Sequence, residues 1–368
     1  MTTASAFAAS GSAVLTADPV TRPAGPDAAG PGVAGGTSEA GQVLAWAREL
    51  LLPALRSAVD GLPEQVRAVA GYHFGWLDES GRPARESPGK LLRPALTLLC
   101  AQGAGGPAGS GLQAAVAVEL LHNFSLRHDD VMDGDLTRRH RRTAWSLFGA
   151  PAAILAGDSL LALAIGVLAE TPGSVATLCA TTQDLIRGQS LDVSFEQRDD
   201  VSVAECLEMV SGKTAALLRC ACELGARHGG GSPGQVAALR EFGWHLGIAF
   251  QFADDLLGIW GDPQVTGKPA LADLRARKKS LPVVAALAAG GPHSRELAEM
   301  YLGPQPLASR DLPAVARLIE LGGGRAWAEA EAEHHVAAAL DRLTAAVPPG
   351  APREALVALA ALVTRRAG

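Results

Sequence analysis

LQAAVAVELLHNFSLRHDDVMD, Leu112 to Asp133, is the stretch from which the fold can be read. Its first part, Leu112 to Leu121, is apolar almost throughout, which marks a helix buried over most of its length. Three carboxylates then close it: Asp129, Asp130 and Asp133. On a helix Asp129 and Asp133 stand four apart and Asp130 and Asp133 three apart, so they share one face. Their mutual repulsion destabilises that face unless a cation compensates. Mg2+ suits it, because it accepts one or two carboxylates and completes its shell with water and phosphate oxygens. Taken alone, the pattern reads equally well as the exposed acidic end of a buried helix.

Outward from this segment the helical period continues. Val43, Trp46, Ala47, Leu50 and Leu51 recur with the spacing of one buried helix face. Similar faces run through 91–99, 143–168, 175–195, 203–224, 236–259, 281–289, 312–321, 326–343 and 353–366. Gly and Pro punctuate them at 103–111, 172–173, 229–234, 290–292 and 348–352. No alternating run suggests a strand, and no repeat of solenoid length is present. The expectation is a single all-α domain over residues 42–368, built from about ten helices. Residues 1–41, rich in Ala, Gly, Pro, Ser and Thr with Arg22 as their only basic residue, are expected to form a disordered tail without signal- or transit-peptide character.

Composition narrows the function. The chain of 368 residues is 48% hydrophobic and carries a net charge of −6, which excludes a general nucleic-acid binder. The apolar run 152–168 is interrupted by Asp158 and falls short of the roughly 20 residues of a membrane span, so no integral membrane segment is expected. Five cysteines without a CxxC pair read as reduced thiols of a cytoplasmic protein.

A second acidic pair changes the weight of the first. Asp254 and Asp255 follow Phe250-Gln251-Phe252-Ala253 in another apolar helix, and Asp262 comes seven residues after Asp255. Two such pairs, each at the C-terminal part of an apolar helix, could face one another across a cavity and hold several metal ions around one diphosphate. Cations complete the set. Arg138-Arg139-His140-Arg141-Arg142 follows the first cluster, and Lys268, Lys278 and Lys279 follow the second. Lys90 and Arg93 stand three apart at a helix start. Arginine forks bind phosphate oxygens in pairs.

GKLLRP, ELLHNFSLRHDDVMDGDLTRRH, GQSLD, GKT, FQFADDLLGIWGD and GKPALADLRARKKSLP occur in that order, and together they resemble the trans-isoprenyl diphosphate synthases over nearly everything from Gly41 onward. The resemblance implies an isoprenoid-synthase-type helical bundle around a central cavity, working as a homodimer. It implies three magnesium ions per active site, held by Asp129, Asp130 and Asp133 and by Asp254 and Asp255. It assigns isopentenyl diphosphate to Lys90, Arg93, His122 and Arg139. The allylic diphosphate and the reacting carbons go to Arg138, Lys213, Thr214, Gln251, Lys268 and Lys278, with Gln189 and Asp192 lining the same cavity. The implied reaction condenses an allylic diphosphate (dimethylallyl, geranyl or farnesyl) with isopentenyl diphosphate. Phe124 and Ser125, five and four residues before Asp129, resemble the pattern of geranylgeranyl diphosphate synthases, with farnesyl and longer products as alternatives.

Three positions depart from the family pattern. Gly258 stands where a third Asp of the second motif is frequent, which leaves Asp262 to compensate through water. Leu91 replaces a frequent Arg. Arg127 puts a charge where an apolar residue is usual, suggesting a partner, a salt bridge or a divergent substrate. Two other classes lack their sequence features here. A class I terpene cyclase needs an Asn in its second metal motif, and the only Asn is Asn123, upstream of the first cluster. A non-catalytic regulatory subunit usually lacks one acidic cluster, and both are present here.

Overall fold

The computed structural model describes residues 38–84, 89–262, 270–303 and 305–364. Residues 1–37 of the expected tail, and Lys268, lie outside the described residues. The first helix starts at Glu39, inside the segment assigned to the tail, because the Ser38 hydroxyl caps it by accepting from the Gly41 N–H at 3.3 Å.

The chain runs as α1 (Glu39–Asp60), α2 (Glu64–His73), α3 (Leu92–Gly103) and α4 (Leu112–Met132), then a short hairpin of β1 (Thr137–Arg138) and β2 (Arg141–Arg142). It continues through α5 (Ala144–Phe148), α6 (Ala150–Val167), α7 (Pro172–Phe195) and α8 (Val203–Val210). A π-helical turn (Ser211–Ala215) leads into α9 (Ala216–His228), α10 (Pro233–Trp260) and the one-turn α11 (Ala272–Arg275). Helices α12 (Leu281–Ala288), α13 (Gly291–Tyr301), α14 (Leu312–Leu321), α15 (Gly324–Ala346) and α16 (Ala351–Thr364) complete it.

The hydrophobic period explains the centre. Helix α9 is buried on nearly every side by Leu217, Leu218, Cys220, Ala221, Cys222 and Leu224. The two aspartate-bearing helices, α4 and α10, both pack against it. Their acidic ends therefore project from one rigid core.

Deviations from the periodic reading have local causes. The run 143–168 divides at Gly149, whose φ of +85° cannot continue a helix. Pro172 opens α7 instead of breaking the chain, since the first helical turn needs no N–H. The run 203–224 is interrupted by the π turn, because α7 crosses it backbone to backbone. A β-carbon on Gly188 would lie 2.2 Å from the Lys213 nitrogen, and one on Gly212 would lie 2.6 Å from the Asp184 carbonyl oxygen. Helix α13 was hidden because Gly290, Gly291 and Pro292 stand at its start.

Arg127, the charge that departs from the family pattern, is 1% exposed and clamps α4 to α2 by donating from Nη2 to the Val69 carbonyl at 2.8 Å. Among the described residues its Nε and Nη1 have no hydrogen-bond partner, and burial pulls its pKa down to about 9 despite nearby Asp130. It therefore serves contact within the chain.

Candidate active site

The first acidic face is divided in two. Asp130 is 2% exposed and receives Arg138 Nε at 2.6 Å, so it faces the hairpin. Asp129 and Asp133 turn instead towards Lys213, whose Nζ pairs with Asp192 at 2.5 Å. The expectation of a single shared face thus holds for Asp129 and Asp133 and fails for Asp130, which the helix rotates by one residue towards Arg138. Burial pushes the Asp129 carboxyl up to about 6, with Lys213 opposing the rise and Asp133 adding to it. The π turn is what delivers Lys213 here, and such turns recur at functional sites.

The second cluster is likewise divided. Asp255 is 1% exposed and saturated by protein donors: Gln251 Nε2 at 2.9 Å, Lys278 Nζ at 3.2 Å and the Leu281 N–H at 3.0 Å. The last bond also puts a carboxylate at the start of α12, where the helix dipole favours it. Thr214 donates to Gln251 Oε1 at 2.7 Å, which ties the π turn to α10. Asp254 stays partly exposed. Asp192 acts electrostatically on both Asp133 and Lys278, so it links the two clusters.

A cavity of about 910 Å3 opens beside this region. It is lined by Lys90, Arg93, His122, Arg138, Arg139 and Arg141, all singled out in the sequence, and by Arg48, His73 and Glu119, which the sequence did not mark. Arg93 Nη1 lies 3.2 Å from His122 Nε2, while its buried Nε has no partner. Burial first, and Arg93 next, hold His122 well below its ordinary pKa. It is therefore neutral at pH 7, and its Nε2 accepts from Arg93.

Gly89 (φ +114°) makes the passage for Arg139, since a β-carbon there would lie 2.5 Å from Nη2. Arg139 and His140 form the hairpin tip with φ of 52° and 63°, a twist that keeps Arg138 and Arg139 on the cavity side. In the cavity wall, His73 Nε2 donates to Asn123 Oδ1 at 2.9 Å, and Asn123 Nδ2 donates to Glu119 Oε1 at 2.8 Å. Burial pushes the Glu119 carboxyl up to about 7, against the pull of Asn123 and Arg93.

One turn before Asp129, Phe124 is buried and its ring centroid lies 4.6 Å from that of His128. His128 packs so closely over α6 that a β-carbon on Gly157 would lie 2.5 Å from its ring. Ser125 is half-buried and donates to the His122 carbonyl at 2.9 Å. Gln189 is 8% exposed, and neither amide atom has a partner.

The donor set suits a hard divalent cation. Among the described residues no three His, Cys, Asp or Glu side chains converge to hold an ion by themselves. Mg2+ does not require that, since it uses one or two carboxylates with water and phosphate. The Lys213 ammonium among Asp129, Asp133 and Asp192 already draws positive charge to that position.

A sequence model described as polyprenyl synthetase matches residues 75–319. A (2E,6E)-farnesyl diphosphate synthase of Mycobacterium tuberculosis is 48% identical over 332 residues, covering 88% of this chain and 92% of that protein. A geranylgeranyl diphosphate synthase of the same organism is 42% identical over 320 residues, covering 85% and 90%. The crystal structure of a polyprenyl synthetase from Streptomyces coelicolor A3(2) superposes with a TM-score of 0.84 at 48% identity, covering 88% of this chain and 98% of that one. The fold is thus that of the all-α isoprenoid synthases.

Proposed function

From the premise that this chain belongs to the polyprenyl synthetase family, the trans-isoprenyl diphosphate synthases, we propose that it condenses isopentenyl diphosphate with an allylic diphosphate to make geranylgeranyl diphosphate. The observation that carries this reading is the pair of acidic clusters joined through Asp192 and Lys213, beside a cavity lined with arginines. Incubation with isopentenyl diphosphate and each allylic starter, with mass analysis of the products, tests it. Linear diphosphates lengthened by five carbons are expected; cyclic hydrocarbons or no consumption of isopentenyl diphosphate would overturn it.

Divalent metal is the family's cofactor, and our reading is three magnesium ions, with Asp129 and Asp133 on one side and Asp254 on the other as their ligands. When bound, the metal neutralises the allylic diphosphate and makes it a better leaving group. Lys213 and Lys278 add positive charge beside that diphosphate, and the sequence motif assigns the same role to Lys268. Asp130 holds Arg138 and Asp255 holds Lys278, so these two aspartates position cations, and Asp255 also accepts from the Gln251 amide. Thr214 fixes the Gln251 carbonyl oxygen near the reacting carbons. Lys90, Arg93, His122 and Arg139 keep isopentenyl diphosphate close enough for its double bond to attack the allylic cation. No side chain among the described residues is an evident general base, so the departed diphosphate takes the proton.

Glu119 predicts a pH dependence. Below about 7 its carboxyl is neutral in the folded protein and the cavity is more positive; above that it is ionised and repels a diphosphate. The Michaelis constant for isopentenyl diphosphate should therefore rise as pH increases through 7, and Glu119→Gln should flatten that rise. A rise that persists in Glu119→Gln would assign it to another group.

Product length is set, in this reading, by Phe124 and Ser125 about one turn before Asp129, with the Phe124 ring packed against His128. Phe124→Ala should lengthen products by at least one five-carbon unit, and Ser125→Phe should shorten them. A farnesyl product is the second reading, favoured by the 48% identity to the protein of that name. Unchanged products in both variants would place the limiting wall elsewhere.

The working unit is a homodimer of the cytoplasm. Helix α6 is long and apolar enough to cross a membrane, yet it packs on α4 and only 28% of its residues are buried. Leu155 is 61% exposed there, and Ile186 on the adjoining α7 is 50% exposed. A second copy would cover this apolar face. Light scattering should give twice the chain mass, and Leu155→Asp should halve it; a monomeric parent chain would contradict this reading.

A further inference from the structure

On α10 the face that carries Asp254 and Asp255 continues one turn later at Gly258, four and three residues on. Gly258 has no side chain, but the space beside it is filled. A β-carbon built there would lie 2.2 Å from Oδ2 of Asp273, 2.4 Å from its Cγ and 2.9 Å from its Oδ1. The whole Asp273 carboxylate thus occupies the volume that a side chain at 258 would take.

Asp273 arrives from a different element. It lies in α11, which begins from Leu271 in the left-handed conformation (φ 61°). The segment after it is closed by the Lys278 N–H donating to the Asp273 carbonyl at 3.0 Å. Buried Tyr301 braces the same segment, donating to the Lys278 carbonyl at 2.9 Å. Lys278 Nζ then stands 3.2 Å from Asp255 Oδ1 and 3.9 Å from Asp273 Oδ2. The Asp273 side chain is 15% exposed. Lys278 thus joins the Asp273 carboxylate to Asp255, the buried member of the second acidic pair.

We infer that Asp273 is the third carboxylate of the second acidic site, reaching across from α11 into the place that Gly258 leaves open. The three atoms nearest that place all belong to Asp273 and none to Asp262, which lies past the end of α10. Asp273 acts as a positioning residue there: with Asp254 it orders the water shell of a divalent cation, and with Asp255 it aims Lys278. The inference rests on the reading of this site as one that binds metal and diphosphate.

The test is calorimetric binding of inorganic pyrophosphate to the full chain with and without Mg2+. The parent chain should bind pyrophosphate in a Mg2+-dependent manner, and Asp273→Asn should weaken that binding by about tenfold or more. The exchange variant Gly258→Asp/Asp273→Gly returns the carboxylate from α10 and should restore binding to near the parent value. Undiminished binding in a folded Asp273→Asn would overturn the inference while leaving the prenyl-transfer reading in place. If Asp273→Asn fails to fold, the exchange variant decides: a folded exchange variant that does not bind overturns the inference. A parent chain that shows no Mg2+-dependent binding would remove the underlying reading instead.

Discussion

Asp129→Ala is expected to lower turnover by at least about a hundredfold while leaving the helical fold intact. Asp129 contributes little to stability, because its folded pKa is raised to about 6 by burial. The sign follows directly. A carboxyl whose folded pKa lies above its unfolded value makes the folded state less stable as pH rises between the two, and the full penalty is present at neutral pH. Alanine at this position removes the penalty, and Lys213 keeps its partner in Asp192. Helix α4 is held by Leu120, Leu121 and Phe124 in the main core, which the substitution does not touch. Asp130→Ala should behave differently. It deletes a buried ion pair and frees Arg138, so both turnover and thermal stability should fall. Circular dichroism and turnover on the two variants check this, and near-normal turnover in Asp129→Ala would sink the metal-site assignment.

Arg93→Ala is expected to raise the Michaelis constant for isopentenyl diphosphate by about tenfold to a hundredfold and to change that for the allylic substrate far less. The guanidinium is held against neutral His122 with one buried N–H still without a partner, and burial brings its pKa down to about 10. Arg93 lines the cavity, so its charge meets an anion that enters there. Lys268→Ala should show the opposite bias, an expectation that rests on the sequence motif alone. Steady-state kinetics with each substrate varied in turn reads both, and equal effects on both constants would mean the two diphosphate sites are wrongly assigned.

The parts legible in the sequence were those set by local period. The apolar runs of α4 and α10, each ending in carboxylates, announced both the helical class and the two acidic clusters. The basic run after Asp133 likewise marked Arg138 and Arg139, because a charge run beside an acidic motif is a local signal. What stayed hidden depends on contact between distant segments. Nothing near Arg48 marks it, since it sits on an ordinary amphipathic helix and reaches the cavity only because α1 brings its Nη2 to the Gly89 carbonyl at 2.9 Å. Glu119 reads as a polar break in an apolar run until Asn123 and Arg93 are seen around it. The division of each aspartate pair into one inward and one positioning carboxylate is also tertiary. It follows from where Arg138, Lys213 and Lys278 arrive, and helix spacing cannot supply that. Asp273 is the clearest such case, for its partner position, Gly258, contributes only space.

The central claim is that the two acidic clusters hold divalent metal around a single diphosphate. The most direct measurement is anomalous scattering from crystals of the full chain grown with Mn2+ and inorganic pyrophosphate. The account predicts metal peaks within ligand distance of Asp129 and Asp133 and a further peak beside Asp254, all contacting one pyrophosphate near Lys213. Metal bound at one cluster only, or pyrophosphate lying away from both, would contradict it.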